Sequence, residues 1–362
     1  MTKILVLYDK WMRENAEEMW RLAFSEAFGD ELGDHDLVYV ENSEGSYKWS
    51  TEIVDNVKEA YGNPEKIREA IDGFKVAVSG YAPFTCDVMG ASKELKVIGI
   101  SRGGPVNVDQ VCATENGIYV LKAVGRNAES VADQTLGFIL SELRQIARHN
   151  KEIKSGEYFS KIDMVGRSDY LGSFNWMEAN QKVLGLIGYG QVGSRVAKRA
   201  NAFNMRIIVF DPYIDENILI EENCEPVDID TLLRTSDFIS IHAGLSPETH
   251  HMIDEKALLK MKKTAILVNT ARGSIIDEEA LYNALKDGDI ASAALDVVDM
   301  DPIKSDNKLI QLDNITLTPH TAGRSPDTEM RGYRQIAQQV ARYLRGNDIH
   351  QMHIANKDVL KG

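Results

Sequence analysis

The run Val183-Leu-Gly-Leu-Ile187 passes directly into Gly188-Tyr-Gly190-Gln-Val-Gly193, and that glycine triplet opens an amphipathic stretch, Val192–Ala202. Three glycines at this spacing are a weak signal alone. Between a buried strand and a helix they specify the first turn of a dinucleotide-binding βαβ unit. Gly188 permits the tight turn, Gly190 lets the backbone approach a pyrophosphate, and Gly193 lets helix and strand pack closely. The helix start, with Gln191 and Val192, offers N–H groups and a positive dipole end to the phosphates. The next apolar run ends in Phe210-Asp211, eighteen positions after Gly193. A carboxylate there accepts hydrogen bonds from the adenosine ribose and repels a 2′-phosphate. Pro212 and Tyr213 bring no cation to reverse that preference, so NAD is the expected cofactor.

The rest of the chain fits around this unit. From Val183 onward, six candidate strands alternate with helical or connecting stretches: Val183–Ile187, Arg206–Phe210, Phe238–Ile241, Ala265–Asn269, Ala293–Val297 and Ile315–Thr318. That series matches a complete doubly wound parallel sheet. An earlier series, Ile4–Asp9, Leu37–Asn42, Lys75–Gly80, Lys96–Ser101 and Ile118–Ala123, reads as a second α/β layer. Ser130–His149 has helical apolar spacing and opens on Ser130-Val-Ala-Asp133, which resembles a capping box. A last helix is expected at about Thr328–Leu344, followed by a tail that returns to the first domain. The fold class is therefore α/β: a Rossmann nucleotide-binding domain (125–327) inserted into a smaller, discontinuous flavodoxin-like substrate domain (1–124 plus 328–362).

A chain of 362 residues has room for two cores. Its net charge of −14 argues against nucleic acid or an anionic membrane surface as partner. The three cysteines, Cys86, Cys112 and Cys224, show no paired spacing, so thiols in a reducing compartment are expected rather than a disulfide or a zinc site. The start is too short in apolar residues for a signal peptide, and no run is long enough to cross a bilayer. A cytoplasmic protein is expected.

In an open α/β sheet, ligands bind beyond the carboxyl ends of the strands. In this chain those ends release Arg272, Asp296, Asp301 and His320, with His242 after the strand Phe238–Ile241. Reducing a 2-oxo acid needs a cation for the carboxylate and an acid for the forming alkoxide. Arg272 suits the first through its bidentate fork. His320 suits the second, because imidazole titrates near neutral pH, with a carboxylate such as Asp301 to orient it. Asp299, Asp301 and Asp306 share one loop, so that acid also reads as an ordinary loop residue. Asp296 is expected at the nicotinamide and His242 toward the adenine. His149, His250, His251, His350 and His353 read as structural or surface residues.

These residues resemble the D-isomer-specific 2-hydroxyacid dehydrogenase family, which includes phosphoglycerate and glycerate dehydrogenases. The resemblance runs from about Lys96 to Asn356. It is carried by Gly185–Gly193, Val268-Asn-Thr-Ala-Arg-Gly-Ser274, Ala294-Leu-Asp-Val-Val298 leading to Asp301-Pro302, and Thr318-Pro-His-Thr-Ala-Gly323. It implies a catalytic set of Arg272, Asp301 and His320. It also implies D-stereochemistry and a hinged substrate domain. The expected cofactor set is Gly188, Gly190, Gln191, Val192, Gly193, Asp211, His242, Ala243, Thr270, Ala271, Arg272, Asp296, His320 and Gly323.

The resemblance further implies a homodimer built on the helix at Ser130–His149 and an arm within about 130–180. The arm's aromatics, Tyr158, Phe159, Tyr170, Phe174 and Trp176, read equally well as core. Where the family carries Glu, this chain has Asp301, one methylene shorter. The loop Ser101–Asp109 reads as shorter than in phosphoglycerate dehydrogenases. From it, Gly103 and Gly104 are expected to offer N–H groups to the substrate carboxylate, and Arg102 to read a phosphate or second carboxylate. Tyr81, with Phe84, is expected to shape the substrate pocket. About forty residues follow His320, so no appended regulatory domain is expected. Two alternatives stay open: a formate- or phosphite-type dehydrogenase on this scaffold, and a non-catalytic NAD-sensing binding protein.

Overall fold

The computed structural model describes residues 2–48, 50, 52–172, 176–300 and 302–361; Asp301 and Phe174 lie outside these residues. The chain divides into two compact units, Met1–Arg126 with Ser325–Gly362, and Asn127–Arg324.

The first unit holds five parallel strands, β1 (Thr2–Tyr8), β2 (His35–Glu41), β3 (Val76–Ser79), β4 (Val97–Ile100) and β5 (Tyr119–Lys122), in the order β2-β1-β3-β4-β5. This is the flavodoxin-like order. Alternation along β1 sends Leu5 and Leu7 into the apolar cluster on one face and Ile4 and Val6 into the cluster on the other. The helix Pro326–Leu344 starts cleanly because Ser325 accepts the Thr328 N–H and Pro326 stands in the first turn. It lies close over β4, where a Cβ at Gly99 would sit 2.5 Å from Ile336. The tail packs on β5: Asn356 Oδ1 accepts the Val120 N–H at 2.9 Å, and its amide donates to the Ile118 carbonyl at 2.8 Å.

The second unit is a seven-stranded parallel sheet of β6 (Val183–Ile187), β7 (Arg206–Phe210), β8 (Cys224–Pro226), β9 (Phe238–Ile241), β10 (Ile266–Asn269), β11 (Ser292–Leu295) and β12 (Ile315–Leu317). The order is β12-β11-β10-β9-β6-β7-β8, the doubly wound arrangement, with its switch point between β6 and β9. Leu267 enters the cluster on one face, and its neighbours Ile266 and Val268 the cluster on the other.

Four sequence expectations need correction. The strand β8 has no counterpart among the six expected. It is a three-residue edge strand with a glutamate and a proline, paired only with β7, so no apolar run announces it. The capping box at Ser130 does not form. The helix begins at Ala128, and Ser130 Oγ instead donates to the Ala322 carbonyl at 2.8 Å. That helix stops at Arg144, where Gln145 turns left-handed (φ 53°), and a second helix runs Ile146–Ser155. Finally, Cys86 and Cys112 form a disulfide, Cα–Cα 5.6 Å, between the helices Cys86–Gly90 and Gln110–Glu115. Their 26-residue separation carries no motif, so only the packing of two short helices reveals the pair. Cys224 is a buried thiol.

Candidate active site

Because all seven strands of the second unit are parallel, their carboxyl ends share one edge and the residues after them form one surface. At the switch point, Gly188 donates its N–H to the Phe210 carbonyl and His242 donates its own to the Ile187 carbonyl. Gly188 has φ +95°, and a Cβ there would lie 2.8 Å from Ala243 N and from the His242 carbonyl carbon. At Gly193 a Cβ would meet the Gly188 carbonyl oxygen at 2.3 Å. Those two glycines are thus demanded by internal packing. Gly190 is different: nothing lies within 4 Å of a Cβ there. The protein itself does not require glycine at that point, whereas a pyrophosphate passing close to the backbone does.

The helix that follows, Gly193–Asn201, has no side-chain cap at Val192, so its first turn is open to an anion. Asp211 stands directly after β7. Its two oxygens accept the Tyr189 and Tyr213 N–H groups at 2.8 and 3.0 Å, which holds the carboxylate at the sheet edge. The residues present fit NAD.

His242 Nε2 lies 2.9 Å from Ser240 Oγ, and burial pushes the imidazole down to about 3. A ring that stays neutral is no acid at physiological pH, so His242 and Ala243 serve as the floor beneath the glycine turn.

The turn after β10 is rigid. Asn269 Oδ1 accepts the Ala271 N–H at 2.9 Å and its amide donates to the Arg272 carbonyl at 2.8 Å. Thr270 Oγ1 is 3.0 Å from Thr135 Oγ1. A Cβ at Gly273 would lie 2.0 Å from the Val298 carbonyl, so glycine lets this turn press against the connection after β11. Arg272 is exposed. Its guanidinium donates to the Ala271 carbonyl at 2.7 Å, and no carboxylate among the described residues pairs with it.

Asp296 is buried after β11, and its carboxylate is given over to the loop after β12. It accepts Thr318 Oγ1–H, the Thr321 N–H at 2.9 Å and the Ala322 N–H at 2.8 Å. Its carbonyl accepts the His320 N–H at 2.9 Å. His320 is thereby held exposed in the left-handed region, φ 53°, which a non-glycine residue occupies at a cost and only when its surroundings impose it. Gly323 abuts Asn127, with a Cβ there 2.7 Å from Asn127 Nδ2. Of the acids in the loop after β11, Asp299 accepts Ser274 Oγ–H. The sequence reading named Asp296 but missed its task, and it missed Asn269, whose polar side chain on a buried strand was the available signal.

In the first unit, Arg102 pairs with the Glu59 carboxylate and donates to the Glu59 carbonyl at 3.2 Å, lying 4.8 Å over the Tyr81 ring. Gly103 and Gly104 are exposed, and a Cβ on Gly104 would meet nothing within 4 Å. Phe84 is wholly buried core. No group of three or more His, Cys, Asp or Glu side chains among the described residues is arranged to hold a metal, and no described helix is long and apolar enough to cross a membrane.

The chain was compared with known proteins. A family profile, D-isomer specific 2-hydroxyacid dehydrogenase, NAD binding domain, matches residues 136–322. The chain is 40% identical to a D-3-phosphoglycerate dehydrogenase of Methanocaldococcus jannaschii over 82% of its own length and 55% of that protein's. It is 35% identical to a glyoxylate reductase of Korarchaeum cryptofilum over 77% of its length and 81% of the relative's. The fold superposes on D-mandelate dehydrogenase of Rhodotorula graminis with a TM-score of 0.75 at 24% identity, covering 96% of each chain. With its glycine turn, Asp211 and sheet-edge cation and imidazole in place, the chain belongs to the D-isomer specific 2-hydroxyacid dehydrogenase family and carries that family's NAD-binding domain.

Proposed function

We propose that this protein is an NAD-dependent oxidoreductase that interconverts a small D-2-hydroxy acid and its 2-oxo acid at C2. One observation carries the reading: a single sheet edge presents Arg272, on a rigid turn and without a carboxylate partner among the described residues, and His320, fixed by Asp296 in a strained backbone. NAD, held by the turn Gly188–Gly193 and Asp211, would supply the hydride in its reduced form and accept it in its oxidised form. Arg272 holds the substrate C1 carboxylate and draws electron density from the C2 carbonyl. His320 protonates the C2 oxygen during reduction and takes the hydroxyl proton during oxidation. Asp301, which stands where the resemblance places the family's acid, orients His320. Asp296 sets where the imidazole stands. The backbone of Gly103–Gly104 offers N–H groups to a carboxylate.

The protein works as a homodimer in this reading. The helices Ile146–Ser155 and Glu157–Val165 leave Ile146, Ile153, Phe159 and Met164 more than half exposed, an apolar surface suited to a second copy. Tyr158 and Tyr170 instead pack edge-to-face within this segment.

The test is NADH oxidation on purified protein against glyoxylate, hydroxypyruvate, pyruvate and phosphohydroxypyruvate, with NADPH in parallel. Turnover of at least one acid with NADH is expected. NADH binding without turnover of any acid would overturn the proposal in favour of a sensor, and oxidation of formate or phosphite alone would move it to that class.

A further inference from the structure

The disulfide Cys86–Cys112 lies wholly within the first unit and joins residues 26 apart in sequence. The chain it encloses contains β4 and the loop Ser101–Asp109, whose last residue caps the helix Gln110–Glu115 by accepting the Cys112 N–H at 3.0 Å. The two bridged helices have five and six residues, too few to persist without tertiary support. On the disulfide side, Phe84 donates its N–H to the Asn107 carbonyl at 2.9 Å and Asp109 donates its own to the Phe84 carbonyl at 3.0 Å. The Asn107 amide donates to the Ala82 carbonyl at 2.8 Å.

A strap grips the same loop from an earlier segment. Lys58 donates its N–H to the Val106 carbonyl at 2.9 Å, and the Asn56 amide donates to Asp109 Oδ2 at 2.9 Å. Asp55, Asn56 and Glu59 in this strap are all left-handed, with φ of 48°, 62° and 49°. Such backbone persists only while its surroundings over-determine it, and the disulfide is the covalent part of those surroundings. The two ends of the bridge differ: Cys112 is buried, whereas Cys86 is exposed. Exposure opens a disulfide to thiol exchange, from which a buried structural bridge is protected.

We propose that Cys86–Cys112 is a reversible thiol–disulfide exchange site that sets the order of the loop carrying Gly103 and Gly104, and that its reactant is a dithiol reductant. A thiolate of the reductant attacks Cys86 Sγ, the bond between the two sulfurs breaks, and Cys112 Sγ leaves and takes a proton. The second thiol of the reductant then displaces Cys86 Sγ. Two electrons and two protons pass to the cysteine pair, and the reductant ends as a disulfide. Only the consequence for activity rests on the function proposed above.

The test uses the full chain before and after dithiothreitol under native conditions. Thiol titration of the denatured samples should count one thiol before reduction, Cys224, and three after. Hydrogen-exchange protection over residues 101–115 should fall on reduction by roughly 10- to 100-fold, a share of the constraint that closing such a loop imposes. Oxidised glutathione should restore it. Cys86→Ser should match the reduced protein and respond to neither reagent. Because Gly103 and Gly104 are the residues assigned to a carboxylate, kcat/KM for the oxo acid should fall roughly 10-fold or more on reduction while NADH binding is unchanged. Loss of protection without a change in kcat/KM would keep the exchange site and remove these glycines from substrate binding. Loss of protection in a protein that turns over no acid would keep it and remove the reaction. Three thiols even after oxidation, one thiol even after reduction, unchanged protection, or unfolding of the whole chain on reduction would each overturn the inference.

Discussion

The two parallel sheets present the same kind of surface, the carboxyl ends of their strands, yet they are furnished in opposite ways. The seven-stranded edge is built by backbone. Three glycines, the asparagine-braced turn at 269–273 and the loop folded onto Asp296 fix where N–H groups and side chains can stand. The five-stranded edge is built by side chains: Asp9 with Asn42 and Gly80, Arg102 with Glu59, and Trp11 against Tyr61 and Tyr81. Backbone devices suit a cofactor shared by many proteins, because they read a pyrophosphate and ribose that never vary. Side-chain pairings suit a substrate, because single replacements change them without rebuilding the turn.

The largest effect that would break this contrast is at His320. His320→Ala should lower turnover by roughly 10²- to 10⁴-fold while the NADH dissociation constant, read by fluorescence, stays within a few-fold. An unchanged rate would remove the catalytic role from this edge. Next comes Gly188→Ala. With φ +95° and backbone atoms 2.8 Å from the added methyl, it should weaken NADH binding by more than about 10-fold, the left-handed strain alone costing roughly 1–2 kcal/mol. The same change at Gly190 meets no protein atom, so it should leave Tm within about 1 °C and lower NADH affinity only. A fall in Tm there would mean that glycine serves the fold.

Asp211→Ser should shrink the preference for NADH over NADPH by roughly 10-fold, since the repelling carboxylate goes while a short acceptor for the Tyr189 N–H remains. Steady-state kinetics with the two cofactors decides it.

The smallest effects separate two buried acids by the sign of their pH dependence. Burial pushes Asp9 up to about 6 despite hydrogen bonds from Asn42 and Gly80. The folded protein therefore holds that proton more tightly than the unfolded chain. Its stabilising contribution is complete below pH about 3.8 and is lost as pH rises through about 6. Chemical denaturation should show wild type losing up to about 3 kcal/mol across that window relative to Asp9→Asn. At Glu152, burial alone would raise the carboxyl, but Lys161, Tyr170 and Arg148 outweigh it and hold it near 2. Its contribution is present above pH 4.5 and lost as pH falls toward 2, so Glu152→Gln should lose stability at neutral pH and not in acid. Matching slopes for the two variants would contradict the assignment.

How far each edge was legible follows from the same contrast. Gly188, Asp211, Arg272 and His320 were readable because each lies within a few residues of a strand whose apolar run marks its end. Asp296 was readable as a position but not as a task, since its three donors come from a loop more than twenty residues away. β8 was invisible because an edge strand needs only backbone pairing. The pairing of Arg102 was not legible because its acid lies 43 positions earlier in a segment with no motif.

The sequence alone determined the alternation of strands and helices, the turn that receives NAD, and which residues leave the seven-stranded edge. Those outcomes rest on local rules, namely side-chain period, glycine conformation and the direction of parallel strands. The tertiary structure decided which charges cancel and which two cysteines meet. Those depend on segments distant in sequence being brought within a few ångströms, and no local rule encodes that distance.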